Sequence, residues 1–304
     1  MTKTNFSNLI QAPLDVPRSK RAMFLNNLRL ITKNTGRLFM LAGDQRVEHL
    51  NDDFFGVDIS PEDAQPEHLF KIATSSRVGA LATQLGYLAR FGSAYPKVPY
   101  IVKLNNKTNL VKEQDQEPYS SAWYDVRQVV NFAKDSGLKI AGVGYTVYVG
   151  SGFEAAMLHE AAQIVLEAHK AGLVAVLWMY PRGKAVKDKI EAHLIAGAVN
   201  VGAALGADFI KVNEPIPVTP HGLSEIMMAG QRTGVIFAGG EAADYDSVLQ
   251  SIYLHVHRFG AAGAALGRNI HQRSFTEAVA LANAVASVIY DGQAPEVARR
   301  LLVK

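Results

Sequence analysis

The amino-acid sequence predicts a closed barrel of eight parallel strands wrapped by helices, the (β/α)8 or TIM barrel of the α/β class, on three observations. Short apolar runs recur along the chain, each followed by a segment with helical spacing. These runs are continuously apolar rather than alternating, as strands buried on both faces of a parallel sheet must be. No Pro/Ser-rich linker, low-complexity tract or short-period repeat divides the 304 residues, so they are read as one domain, 1–304. An open doubly wound sheet is the competing arrangement, because βα alternation alone does not demand closure.

Residues 1–35 read as a polar extension, with a helix around Lys20–Lys33 packed on the outside of the main body. The expected strands then follow in order: Arg37–Asp44, Gly79–Gln84, Tyr100–Asn105, Ile140–Tyr148, Val174–Tyr180, Phe209–Asn213, VIFAGG from Val235 and AAGAALG from Ala261. Phe153–Ala171, Ile190–Leu205 and Ser274–Tyr290 carry the clearest helical periodicity between and after them. Pro181 is expected to force the chain out of the fifth strand. The last two strands each finish in glycine and are expected to open directly into a helix. Glycine lets a phosphate oxygen approach the backbone N–H groups closely, so these two ends read as neighbouring anion-binding mouths.

Composition narrows the function. Hydrophobic residues are 48% and charged residues 19%, which supports a large core. The net charge is only +3, and the 31 basic residues are scattered, with no stripe for nucleic acid. Absence of cysteine excludes disulfides, thiolate catalysis and thiolate metal sites. No apolar run reaches the ~18 residues that span a bilayer, and the N-terminus lacks a signal-peptide pattern. A cytoplasmic location without membrane partners is the expectation.

In such a barrel the chemistry sits at the C-terminal strand ends. Those ends carry Asp44, Gln84, Lys103, Asn105, Tyr148, Trp178, Tyr180, Lys211, Asn213, Gly239, Gly240, Gly267 and Arg268. There is no His/Asp/Glu set at metal-ligand spacing and no G-x-S-x-G. Lys211 stands inside the apolar strand FIKV, where lost hydration would lower its pKa toward that of a neutral, nucleophilic amine. The bland alternative is a lysine that only pairs with a barrel carboxylate. Lys103 admits the same argument, as nucleophile, as phosphate ligand, or as a second ammonium lowering the first. Asp44 reads either as a proton shuttle or as a helix cap. Tyr180 reads either as an acid/base or as a packing aromatic. Trp178, two residues earlier on the same strand face, reads as pocket wall or core. Arg182 and Arg268 could pair with phosphate or simply be solvated. His255, His257 and His271 have no obvious partner in the sequence, and His49 is a weak site candidate.

Six segments in order, GDQRVEH, VKLNN, VLWMYPRG, GADFIKV, AGGEA and LGRNIHQR, resemble the archaeal-type class I fructose-bisphosphate aldolases, a family with bacterial members. The resemblance runs from about Arg37 to Arg273. It implies a (β/α)8 barrel that needs no metal or other cofactor and joins a sixth-strand lysine to dihydroxyacetone phosphate as an imine. It further implies Lys211 as the Schiff-base residue, Tyr180 as general acid/base, Asp44 as the assisting carboxylate and Trp178 as pocket lining. Gly239, Gly240, Gly267 and Arg268 would hold the first phosphate, Arg182 the second, and Lys103 ranks below Lys211 as a substrate-binding cation. The partner is thus a small sugar phosphate, and members of the family commonly form homo-oligomers. Alternatives are a lysine-dependent transaldol-type enzyme of aromatic biosynthesis or of signalling-sugar catabolism, and a sugar-phosphate-binding barrel without turnover. Two departures stand near the expected mouth. Gln45-Arg46 replaces the family's His-Gly after Asp44, and Val212-Asn213-Glu214-Pro215 follows Lys211 where many relatives carry Thr-Tyr-Tyr.

Overall fold

Eight strands lie where the apolar runs predict them, and each pairs in parallel with the next in sequence until β8 pairs with β1 and closes the ring. The computed structural model describes residues 11–302. The strands are β1 (Leu38–Ala42), β2 (Ala80–Gln84), β3 (Tyr100–Lys103), β4 (Ile140–Val149), β5 (Val174–Pro181), β6 (Phe209–Val212), β7 (Gly234–Ala238) and β8 (Gly263–Leu266). Closure eliminates the open-sheet alternative. The first ten residues of the expected extension lie outside the described residues.

The helices are α1 (Arg21–Ile31), α2 (Gln45–Glu48), α3 (Glu67–Ser75), α4 (Leu85–Phe91), α5 (Val126–Ser136), α6 (Glu154–Ala171), α7 (Ala192–Ala204), α8 (Pro220–Gly230), α9 (Tyr245–Tyr253), α10 (Arg268–His271), α11 (Phe275–Asp291) and α12 (Pro295–Ala298). Their ends follow local chemistry. Asp125 with Gln128, and Ser274 with Glu277, form reciprocal capping boxes that satisfy free N–H groups at the starts of α5 and α11. Gly172 and Gly292 end α6 and α11 in the left-handed conformation that side chains resist. Among the described residues no helix is long and apolar enough to cross a membrane.

Two local results differ from expectation. The β5 ladder runs through Pro181, opposite Val149, before Arg182 N–H donates 2.9 Å to Val149 O. Proline lacks a donor but keeps its carbonyl, so a strand end tolerates it. After β7 no helix opens at Gly239-Gly240; α9 begins only at Tyr245, capped by Asp244. Asn269 holds the intervening loop, donating from Nδ2 to Gly239 O (2.6 Å) and Glu241 O (3.0 Å) and accepting from Ala243 N–H at 2.8 Å.

The N-terminal segment closes the end of the barrel opposite the strand C-termini. Val16 and Phe24 are fully buried, Asn27 donates to Gly172 O just before β5, and Asp15 reaches the buried His169.

Candidate active site

Five strand ends, those of β1, β5, β6, β7 and β8, converge on one cavity at the C-terminal face, lined by residues that include Asp44, Trp178, Tyr180, Arg182, Lys211, Gly239, Gly240, Gly267 and Arg268. Strand register sets the centre. Trp178 on β5 pairs with Lys211 on β6, which pairs with Ile236 on β7. On the other side Gly144 of β4 leaves a gap that the Trp178 ring occupies; any side chain there would overlap the indole. Two lysines lie near the ring, with Lys103 Nζ 5.0 Å and Lys211 Nζ 5.4 Å from its centroid.

Lys211 is 5% exposed, and its pKa is lowered chiefly by burial. Asp44 and Glu48 oppose that shift, while Arg268 and Arg182 reinforce it. Lys103 is fully buried and lowered to about 8, again by burial, against the pull of Asp44 and Glu48. Its ammonium donates 2.6 Å to Asn105 O and lies 3.8 Å from Asp44 Oδ2. Lys103 is not among the residues that line the cavity, although it is within reach of both Trp178 and Asp44.

Asp44 occupies the N-cap position of α2, yet its side chain caps nothing. Its backbone carbonyl is fixed by Gln84 Nε2 (2.9 Å) and Asn106 Nδ2 (2.8 Å), which leaves the carboxylate facing the lysines with Oδ1 unpartnered. The capping role considered for it is thus not the one it plays. Tyr180 is 6% exposed, and burial first, then Glu48 and Asp44, push its phenol well above the usual range, so it holds its proton.

Glu48 is a residue that sequence reasoning passed over. It lines the cavity from α2 and accepts a 2.7 Å hydrogen bond from Arg182 Nη1. Burial works against its charge, but Arg182 and His49 outweigh that and lower its pKa. Arg182 is half enclosed by aromatic rings, 5.3 Å from the Tyr180 centroid and 5.7 Å from that of Tyr148. The signal was available: Asp44 and Glu48 are four apart across a helix start, hence on one face.

At the mouth, Arg268 donates from Nε to Gly240 O (3.1 Å), and its Nη1 lies 3.7 Å from Asp53 Oδ1. Gly240 has φ +65, a conformation side chains resist, and Gly239 is packed under Leu266 and Asn269. His49 also lines the cavity, its Nδ1 2.6 Å from Asp53 Oδ2.

The two departures behave differently from expectation. Arg46 points away from the cavity, stacked on Phe54 at 3.9 Å and donating to Asp63 O. Successive helical residues point about 100° apart, so Gln45 takes the cavity face and Arg46 the back. Asn213 lines the cavity, whereas Glu214 turns outward to His255 Nε2 at 2.9 Å. His271 and His257 also have partners distant in sequence: Asp63 and Gln45 for His271, Val288 O for His257.

Comparison with known proteins supplies the family. Residues 38–273 match the family model described as DeoC/LacD family aldolase. A fructose-bisphosphate aldolase/6-deoxy-5-ketofructose 1-phosphate synthase of Methanocaldococcus jannaschii is 47% identical, covering 96% of this chain and 94% of that protein. A solved fructose-bisphosphate aldolase from Slackia heliotrinireducens superposes with a TM-score of 0.93 at 43% identity, covering 98% of this chain and 95% of that one. An archaeal fructose-1,6-bisphosphate aldolase, solved with its catalytic lysine bound to the carbinolamine intermediate, gives 0.76 at 31% identity over 88% of this chain and 99% of that one. With a closed barrel, a buried lysine on its sixth strand and these matches over most of its length, the chain belongs to the DeoC/LacD aldolase family.

Proposed function

We propose that this chain is a class I, Schiff-base aldolase that reversibly cleaves fructose 1,6-bisphosphate to dihydroxyacetone phosphate and glyceraldehyde 3-phosphate. The observation that carries the reading is a single cavity into which a buried lysine, a carboxylate and a protonated phenol all open. Burial favours the neutral amine of Lys211, which attacks the C2 ketone. The carbinolamine loses its hydroxyl as water, with Asp44 and the adjacent Lys103 ammonium handling the protons. The resulting iminium accepts the electron pair of the C3–C4 bond as that bond breaks, and the C4 hydroxyl proton leaves to the Tyr180 phenolate, formed as the new iminium charge drives the phenol's own proton to water. Glyceraldehyde 3-phosphate departs, the enamine is protonated at C3, and water hydrolyses the imine to free the lysine. A phenol held in its protonated form is the acid of the condensation direction, and reversibility makes it the base of cleavage. Gly239, Gly240, Gly267 and Arg268 hold the C1 phosphate, giving position rather than chemistry.

A second reading has one observation in its favour. The Methanocaldococcus relative is named for a synthase activity as well, and here Arg182, the cation for a second phosphate, is already paired with Glu48. In that reading the enamine passes its three-carbon phosphate fragment to another acceptor aldehyde.

Borohydride reduction with dihydroxyacetone phosphate, followed by peptide mapping, tests the nucleophile; a stable adduct on Lys211 is expected. An adduct on Lys103 reassigns the chemistry, and no adduct on any lysine leaves a binding barrel. A coupled assay with fructose 1,6-bisphosphate, with and without an added acceptor aldehyde, separates cleavage from transfer.

A further inference from the structure

Gln45 occupies a position that the aldol mechanism does not use. It is the first residue of α2, next to Asp44, and its side chain lines the cavity beside the glycines of the phosphate mouth. Its amide lies against Gly267 so closely that any side chain at 267 would overlap it. The Gln45 amide thus lies against the glycine backbone of the mouth, with Oε1 nearest to it.

The amide is held from behind. His271, at the end of α10 and fully buried, lies with Nε2 3.2 Å from Gln45 Oε1 and Nδ1 2.6 Å from Asp63 Oδ2. Each ring nitrogen thus has a side-chain oxygen within hydrogen-bond distance. Asp63 is itself 0% exposed, and Arg46 donates to its backbone carbonyl. Phe54 stacks on the His271 ring at 4.9 Å, fixing its plane. Gln45 Oε1 lies 3.2 Å from His271 Nε2, and Gln45 Nε2, on the same cavity-lining amide, has no acceptor among the described residues. A chain of one carboxylate, one imidazole and one amide thus delivers a neutral N–H2 donor to the mouth.

We infer that Gln45 is a phosphate-binding residue, donating from Nε2 to the C1 phosphate of the bound ketose, and that His271 and Asp63 are positioning residues that fix its orientation. The inference rests on the Schiff-base reading and on the phosphate mouth at Gly239, Gly240, Gly267 and Arg268. It accounts for why a glutamine stands here: an amide adds a donor without another charge to a cavity already lined by one lysine, two arginines and two carboxylates.

The test is borohydride trapping of wild type and variants over a range of dihydroxyacetone phosphate and, separately, of unphosphorylated dihydroxyacetone. The readout is the ratio of the two half-saturating concentrations, which a general loss of packing does not move. For Gln45→Ala the preference for the phosphorylated ketone is expected to fall on the order of 10-fold, as a hydrogen bond to a charged group is lost. Gln45→Glu keeps the size and the His271 contact but turns a negative oxygen to the mouth, and is expected to lower it further. His271→Asn lowers the preference in the wild-type background and leaves it unchanged in Gln45→Ala, because it acts through the amide. An unaltered ratio in both Gln45 variants, with normal wild-type trapping, overturns this inference alone. An equal effect of His271→Asn in both backgrounds overturns the positioning role. If wild type gives no adduct with either ketone, the aldolase reading falls and this inference falls with it.

Discussion

The two ends of this barrel bury charge in opposite ways. At the N-terminal end His169 is fully buried between Asp15 Oδ2 at 2.7 Å and Asp208 Oδ2 at 3.1 Å, and Asp208 also accepts from Ala175 N–H. Burial works against its charge, but the two carboxylates overcome it and raise its pKa to about 9. At the C-terminal end burial wins at the two lysines, although Glu48 and Arg182 pair and keep their charges there. Lys103 falls to about 8, Lys211 is lowered as well, and Asp44 Oδ1, Tyr148 Oη and Trp178 Nε1 have no hydrogen-bond partner among the described residues. The bottom is a satisfied charge cluster that pins the N-terminal segment to the strands. The top is an unsatisfied one, whose cost is recovered only when a substrate supplies the missing partners.

The largest effect that could break this contrast is at Lys211. Lys211→Met is expected to abolish borohydride trapping and to reduce cleavage by at least about 10⁴-fold. Because it also removes a poorly solvated ammonium, the thermal midpoint should rise by a few degrees, roughly 1 kcal/mol. A lower midpoint would mean that this lysine is a structural partner like His169.

Next in size is Tyr180→Phe. Imine formation should persist while cleavage slows by ~10²–10⁴, the usual loss for an acid/base group. Single-turnover measurement of trapping and of aldehyde release separates the two steps, and unchanged release would remove Tyr180 from the mechanism.

The bottom cluster makes a prediction about pH. His169 has a folded-state pKa above its unfolded value near 6.5, so its contribution is complete below that value and is lost as pH rises through about 9. With Asp15 partly exposed, the loss is discounted to roughly 2 kcal/mol. Urea unfolding of wild type and His169→Gln across that window should show the slope in the first and not in the second. Lys103 acts with the opposite sign: its depressed pKa makes stability rise with pH between about 8 and its unfolded value.

The smallest expected effect concerns Glu48. Glu48→Gln should free the Arg182 guanidinium for a second phosphate, lowering KM for fructose 1,6-bisphosphate a few-fold relative to fructose 1-phosphate. A KM ratio that does not move would show that Arg182 serves only Glu48.

Much of the barrel was legible in the chain because strand and helix signals are local. The apolar runs locate every strand to within a few residues, and FIKV announces a lysine that the surrounding aliphatics must desolvate. Tyr180, Asp44 and the glycine mouths followed from the rule that strand ends carry the chemistry. Contacts across the fold were not legible. Nothing in the sequence links Asp63 to His271, Glu48 to Arg182 or Asp15 to His169, because their separations, 208, 134 and 154 positions, are bridged only when the ring closes. Nor could spacing tell which of Gln45 and Arg46 faces the substrate, since that turns on how α2 is rolled against β1 and β8. The sequence by itself determined the periodicity, the strand order and the buried lysine, all consequences of local hydrophobic pattern. Only the tertiary structure decided which charges are paired and which are left for a ligand, because pairing depends on distances that no stretch of chain contains.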